Sequence, residues 1–210
     1  MIEKQIQEKG ILAKLLEQGI RILLLKECKK IGKLKIDIIS SSTRIIKGEI
    51  QKITIVAEDI NYKDLLLDEV GLEANHLKIN FKLINRELLF INNPKIKFNI
   101  SISQNSLRKV LFSNNWNWIS NMISKEILNQ KKLEDIKILN DKLLMKVSEE
   151  NITINKAEQI NIKTEQGKVY LENKNFNKTI QIPIEDKIYI ENVNIENNLI
   201  YIFANSPISF

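Results

Sequence analysis

One histidine and one cysteine among 210 residues leave little material for the commoner catalytic and metal-binding arrangements. A zinc or transition-metal centre needs several His, Cys or carboxylate ligands converging, so only an all-oxygen site stays open, and no metal or cofactor is expected. A lone Cys28 cannot close an internal disulfide, in keeping with a reducing compartment. His76 has no GxSxG or cysteine nucleophile to serve and reads as a structural or surface residue. The six glycines form neither a GxGxxG nor a Walker-type loop, which leaves nucleotide cradling without support. Apolar runs are short, four residues at Ile22–Leu25 and six at Leu199–Ala204, far short of the roughly 20 a membrane-spanning helix needs. The first ten residues carry acids and no apolar h-region, so no secretory signal is visible and a cytoplasmic location is expected. The acid pairs Asp68-Glu69, Glu149-Glu150 and Glu185-Asp186 are adjacent in sequence, which suits solvated turns better than acid–base pairs. No enzyme is expected.

What is present is apolar periodicity and an uneven charge. The net charge of +6 concentrates at the start: residues 1–35 hold nine Lys/Arg against four acids. Lys26, Lys29, Lys30, Lys33 and Lys35 make a basic cluster that suits phosphate on a lipid surface, or equally a solvated helix C-terminus. Residues 3–30 read as a helix, with Leu12, Leu15, Leu16, Ile20, Leu23 and Leu24 recurring at three- and four-residue steps and Gly32 closing it. A strand follows from Leu34. Gly48 opens a long strand with Ile53, Ile55 and Ala57 on one face, and Asn61-Tyr62-Lys63-Asp64 turns it into a third strand through Leu65 and Leu77. Pro94 precedes a further strand in which Ile96, Phe98, Ile100 and Ile102 alternate with polar residues. Ser103 or Ser106 caps a second helix over about 104–128, with Leu107, Leu111, Trp118 and Met122 along one stripe. Trp116 and Trp118 are two apart and cannot share a helix face; Trp118 fits the inward stripe, and Trp116 is left at an edge or on the core rim. After Lys131-Lys132 the chain becomes short alternating strands, with turns at Asn140-Asp141, Gly167 and Asn197-Asn198. The fold class is α+β in a single domain spanning 1–210, with 130–132 as the place where two subdomains would part.

Gly48-Glu49-Ile50, Ile53-Thr54-Ile55-Val56-Ala57 and Ile60-Asn61-Tyr62-Lys63-Asp64-Leu65, with Ser103 to Leu107 and the Trp-bearing helix beyond, resemble the LmeA-like phospholipid-binding family. The resemblance implies a tubular lipid-binding (TULIP-like) fold: a long, curved antiparallel sheet wrapped around the N-terminal helix, and a C-terminal antiparallel meander. It implies acyl chains held in an apolar groove by Leu12, Leu15, Leu16, Ile20, Leu23, Ile53, Ile55, Leu111, Trp118 and Met122. Lys26, Lys29, Lys30, Lys33, Lys35 and Trp116 would meet the membrane surface. The family supplies no catalytic set. The expected partner is a phospholipid or membrane surface; the alternative is a scaffold that binds a protein through open strand edges or the Trp116 face. Nucleic acid is disfavoured, because no basic recognition helix or aromatic-basic platform accompanies the charge.

Overall fold

The computed structural model describes residues 10–82, 87–149 and 152–207. Its elements are α1 (Ile11–Glu27), β1 (Lys33–Ile39), α2 (Ser42–Ile46), β2 (Glu49–Tyr62), β3 (Leu65–Lys82), β4 (Glu87–Phe90), β5 (Lys95–Ser103), α3 (Gln104–Leu111) and α4 (Asn117–Glu126). They continue with β6 (Lys132–Leu139), β7 (Lys142–Glu149), β8 (Ile152–Glu165), β9 (Lys168–Asn173), β10 (Lys178–Ile182), β11 (Tyr189–Glu196) and β12 (Leu199–Pro207). The class is α+β with two antiparallel sheets. The larger runs β1-β2-β3-β5-β12-β11, with β4 paired onto β3, and the smaller runs β10-β9-β8-β7-β6.

The two-residue turns explain much of this topology. Lys63-Asp64, Asn140-Asp141, Gln166-Gly167 and Asn197-Asn198 each hold both central residues at positive φ, as a I′ hairpin requires. That twist matches the strands on either side, so β2 and β3 stay in register from Glu49↔Lys78 to Tyr62↔Leu65. The expected four-residue corner is therefore shorter, because Asn61 and Tyr62 remain in the ladder. Gly48 sits at φ +75° where β2 begins, and its carbonyl accepts the Ile79 N–H at 2.7 Å. A Cβ there would collide with the Ile79 carbonyl, so only glycine lets β2 start so close to β3.

The meander expected at the C-terminus covers β6 to β10 only. β11 and β12 return to the larger sheet, where β12 pairs with β5 from Leu199↔Ser103 to Pro207↔Lys95. Alternation on these strands carries no information about which partner they choose.

Helix boundaries also differ from the periodicity. Within the described residues the first helix begins at Ile11, and residues 3–9 of the expected span lie outside them. It ends at Glu27 because Lys29 and Lys30 turn extended and exchange backbone hydrogen bonds with Asn61: Lys29 N donates to Asn61 O at 2.8 Å and Asn61 N to Lys30 O at 2.8 Å. Gly32 is no cap; its N–H donates to the Glu58 carbonyl at 2.9 Å on the way into β1. The second helix is two helices. Ser103 caps α3 by accepting the Ser106 N–H, and the chain then breaks at Ser113, whose N–H and hydroxyl both turn back to the Val110 carbonyl. A short helix, α2, capped by Ser41, was not visible in the periodicity.

Two cores form. One lies between α1 and the β1–β3 end of the larger sheet: Ala13, Leu16, Ile20 and Leu24 meet Ile36, Ile38, Ile50, Ile53, Ile55, Ala74 and Leu77. The other gathers Leu111, Ile123, Ile127 and Leu128 against Leu133, Ile136, Ile138, Leu143, Met145, Ile160 and Leu171, and reaches Ile200 of the larger sheet. Here α4 touches both β6 and β10, the two edges of the smaller sheet. The chain leaving α4 places Ile127 and Leu128 out of solvent altogether.

Candidate docking face on the first helix

At 100° per residue, Ala13, Ile20 and Leu24 of α1 point to one side and form the stripe that faces the sheet. Polar anchors fix this side to the edge strand β1: Glu17 accepts the Ile38 N–H at 3.0 Å, and Arg21 donates to the Leu34 carbonyl at 2.9 Å. Those are the groups an unpaired edge leaves open, so α1 both buries apolar surface and covers the edge.

The opposite side of α1 is apolar as well. Ile11, Leu15, Ile22 and Leu25 are 77, 62, 67 and 51% exposed, and Gln18 completes a 4-3-4-3 row. Within such spacing all five project from one helical stripe. Lys14 and Lys26 flank the row and are exposed, and α2, which packs against α1, adds Ile46 at 76% exposure. A globular helix ordinarily turns a polar face outward; α1 does not.

The lysines continue from the helix end. Lys29 is tied to Asp64 at 2.7 Å and Lys33 to Glu58 at 2.6 Å, while Lys26, Lys30 and Lys35 make no ion pair among the described residues. The hydrogen bond to Glu58 raises the Lys33 pKa, which keeps this lysine cationic. Cys28 lies between the helix and the cluster; burial, and then the charge of Glu27, push its thiol up, so it stays protonated near neutral pH.

The residues expected to line one groove are distributed over separate places. Leu16, Ile20, Ile53 and Ile55 belong to the core under α1, Leu12 and Met122 are half-buried, and Leu111 belongs to the other core. Leu15 and Leu23 face solvent, both 62% exposed. Of the two tryptophans, Trp118 departs from the expected inward stripe. Trp118 is 43% exposed, whereas Trp116 is half-buried because its indole N–H donates to the Lys63 carbonyl at 2.9 Å. Beside it Asn115 donates to Asp64 at 2.6 Å, and the same carboxylate holds Lys29, so the β2–β3 turn ties the end of α1 to the α3–α4 connection. The break between α3 and α4 takes Trp116 out of the expected continuous helix, since it precedes the first turn of α4.

Asp68 is no solvated turn residue: it lies in β3 and accepts both the Ser103 N–H and hydroxyl, while Asp186 is exposed and pairs with Lys168 at 2.9 Å. His76 is exposed on β3. Among the described residues no three His, Cys, Asp or Glu converge, and no helix is long and apolar enough to cross a membrane. The outer row of α1 escaped the periodicity because both stripes recur at three and four residues; only the contact with β1 tells which one faces inward. Comparison with protein-family models, curated proteins and solved structures gives no match.

Proposed function

We propose that the protein is a non-enzymatic, peripheral lipid-binding protein that docks on an anionic phospholipid surface through the outer face of α1. The observation that carries this reading is the exposed row Ile11, Leu15, Ile22 and Leu25 beside Lys26, Lys30 and Lys35, which make no ion pair among the described residues. An amphipathic helix with basic flanks lies in the headgroup boundary with its apolar side down. Burying four large aliphatic side chains from partial exposure is worth roughly 4 to 6 kcal/mol, at about 1.5 to 3 kcal/mol for each full burial. Three lysines near an anionic surface add about 3 kcal/mol. The apolar term is the larger, and salt weakens only the smaller one.

The finer reading, a tubular lipid-binding arrangement with acyl chains between α1 and the sheet, draws its support from the long antiparallel sheet with a helix laid against it. Leu16, Ile20 and Leu24 fill that interface, so an acyl chain enters only if they give way. Extraction and mass spectrometry of lipid retained through native purification test this part separately.

Vesicle co-sedimentation tests docking. Wild-type protein should pellet with vesicles of phosphatidylcholine and phosphatidylglycerol at low salt and far less with phosphatidylcholine alone, and the triple substitution Leu15→Ser, Ile22→Ser, Leu25→Ser should abolish pelleting. No pelleting of the wild type with anionic vesicles at low salt would overturn the reading. A scaffold role is favoured by one observation, the 4-3-4-3 spacing of the outer row, which also suits a partner helix bearing acids opposite Lys14 and Lys26. Binding to an acidic amphipathic peptide without binding to vesicles would select it.

A further inference from the structure

Two departures from regular β structure open on one cleft, on the face of the larger sheet turned away from α1. The ladder places Val56, Gly71, Asn99, Phe203 and Asn192 in one row across five strands, and Thr54, Glu73, Lys97 and Asn205 in the next. Side chains alternate across a sheet, and the intervening Ile55, Phe98, Ala204 and Ile190 belong to the cores. The two rows therefore face solvent. Between them lies a cleft of about 400 Å³, lined by Thr54, Gly71, Glu73, Lys97, Asn99, Glu191 and Phe203 among others.

Gly71 is the first departure. It sits in the middle of β3 with its ladder unbroken on both sides, Val56↔Gly71 and Gly71↔Asn99. Its φ is not positive, and an added Cβ would meet nothing nearer than Asn99 at 3.7 Å. A mid-strand glycine serves a bulge, a tight bend or the close approach of another molecule; the intact ladder excludes the bulge, and the bare backbone at Gly71 leaves the floor of the cleft open. The second departure is Glu191. The β11–β12 register shifts between Ile190 and Asn192, so Glu191 has no partner opposite and is turned toward the cleft, where it accepts from Asn205 Nδ2 at 2.7 Å. Bulges re-aim side chains at binding sites.

The lining selects a ligand class. Phe203 supplies a flat apolar wall, and Gly71 lets a ring lie close to the backbone. Thr54 and Asn99 both donate and accept, Lys97 donates, and Glu73 and Glu191 accept. Glu73 is paired with Lys52 at 2.6 Å, so two cations, Lys52 and Lys97, balance two carboxylates. A neutral cleft with mixed donors and acceptors around an apolar wall fits an uncharged molecule bearing several hydroxyls. From the convergence of Gly71 and the Glu191 bulge on this cleft, we infer that the outer face of the larger sheet is a second binding site, for a single uncharged sugar ring. The volume lies within the range of about 300 to 1,000 Å³ common to small-molecule sites. The site is independent of α1 and of lipid docking.

Saturation-transfer difference NMR with the methyl glycosides of glucose, galactose, mannose and N-acetylglucosamine is the test. At least one should show transfer from the wild type and from the Leu15/Ile22/Leu25 triple variant. Gly71→Leu, which fills the floor, should remove it, and Phe203→Ala should weaken binding at least tenfold. Asn99→Ala, which leaves the backbone untouched, should weaken it similarly and covers the case in which Gly71→Leu fails to fold. Absence of transfer from all four glycosides, undiminished binding by a folded Gly71→Leu, or amide shifts that map away from Gly71, Asn99 and Phe203 would each overturn the proposal.

Discussion

Gly48 and Gly71 look alike in the sequence, each beside residues that alternate as a strand. Gly48 needs its positive φ and has the Ile79 carbonyl where a Cβ would stand, so Gly48→Ala should cost about 2 to 3 kcal/mol. Gly71 has ordinary backbone and room, so Gly71→Ala should be neutral or stabilise by up to about 1 kcal/mol through the unfolded chain. Urea denaturation of the two variants separates these outcomes. Gln166 occupies a position at φ +49° before Gly167, where Asn suits a I′ turn better, and Gln166→Asn should raise stability by about 0.5 kcal/mol. Ionisation acts at the same scale. Hydrogen bonds from Lys52 to Glu73, Ser148 to Glu134, Lys163 to Glu172 and Lys168 to Asp186 hold these carboxyls below the usual carboxylate range. A depressed folded pKa gives stability that is complete above the unfolded value and is lost as pH falls through the folded one. For Lys33 the sign is opposite: its contribution is complete below the usual lysine range and is lost as pH rises through the raised value. The melting temperature should therefore hold near neutrality and fall as the buffer is taken to about pH 3, with a smaller loss near pH 11.

At the scale of elements, α1 and α4 divide two tasks that one amphipathic pattern had suggested for the first helix. Ile127, at the end of α4, is fully buried, and Ile127→Ala should cost about 3 to 4 kcal/mol in chemical denaturation. Replacing Leu15 or Ile22 by Ser should change stability by less than about 0.5 kcal/mol, because both already face solvent. The stripe over Leu12 to Leu24 was legible as a helix, and so were the hairpins at Asn140-Asp141 and Asn197-Asn198, since turn chemistry and period are local properties. The break between α3 and α4 was not. Leu107, Leu111, Trp118 and Met122 keep a helical period across it, and the hydrogen bond from Trp116 to the Lys63 carbonyl, 53 residues away, is a tertiary interaction. For the same reason the candidate docking face could be read only after β1 had claimed Glu17 and Arg21.

Across the whole molecule, the larger sheet joins strands from both ends of the chain, and β12 lies between β5 and β11. Ile200 of β12 enters the core built by α4 and the smaller sheet, so the two sheets share buried surface. Unfolding followed by far-ultraviolet circular dichroism and by the fluorescence of Trp116 and Trp118 should give coincident transitions. Separate transitions would show that the shared surface is too small to couple the sheets. By itself the sequence determined the α+β class, most strand positions, the I′ turns at Asn-Asp and Asn-Asn, and the scarcity of His and Cys, because alternation, turn preference and composition act within a few residues. Tertiary structure decided which strands pair across the sheet, which side of α1 is covered, where the long helical pattern breaks, and that Gly71 and Glu191 meet at one cleft. Each of those depends on contacts between residues far apart in the chain, and an apolar row at helical spacing carries the same pattern whether a sheet lies against it or water does.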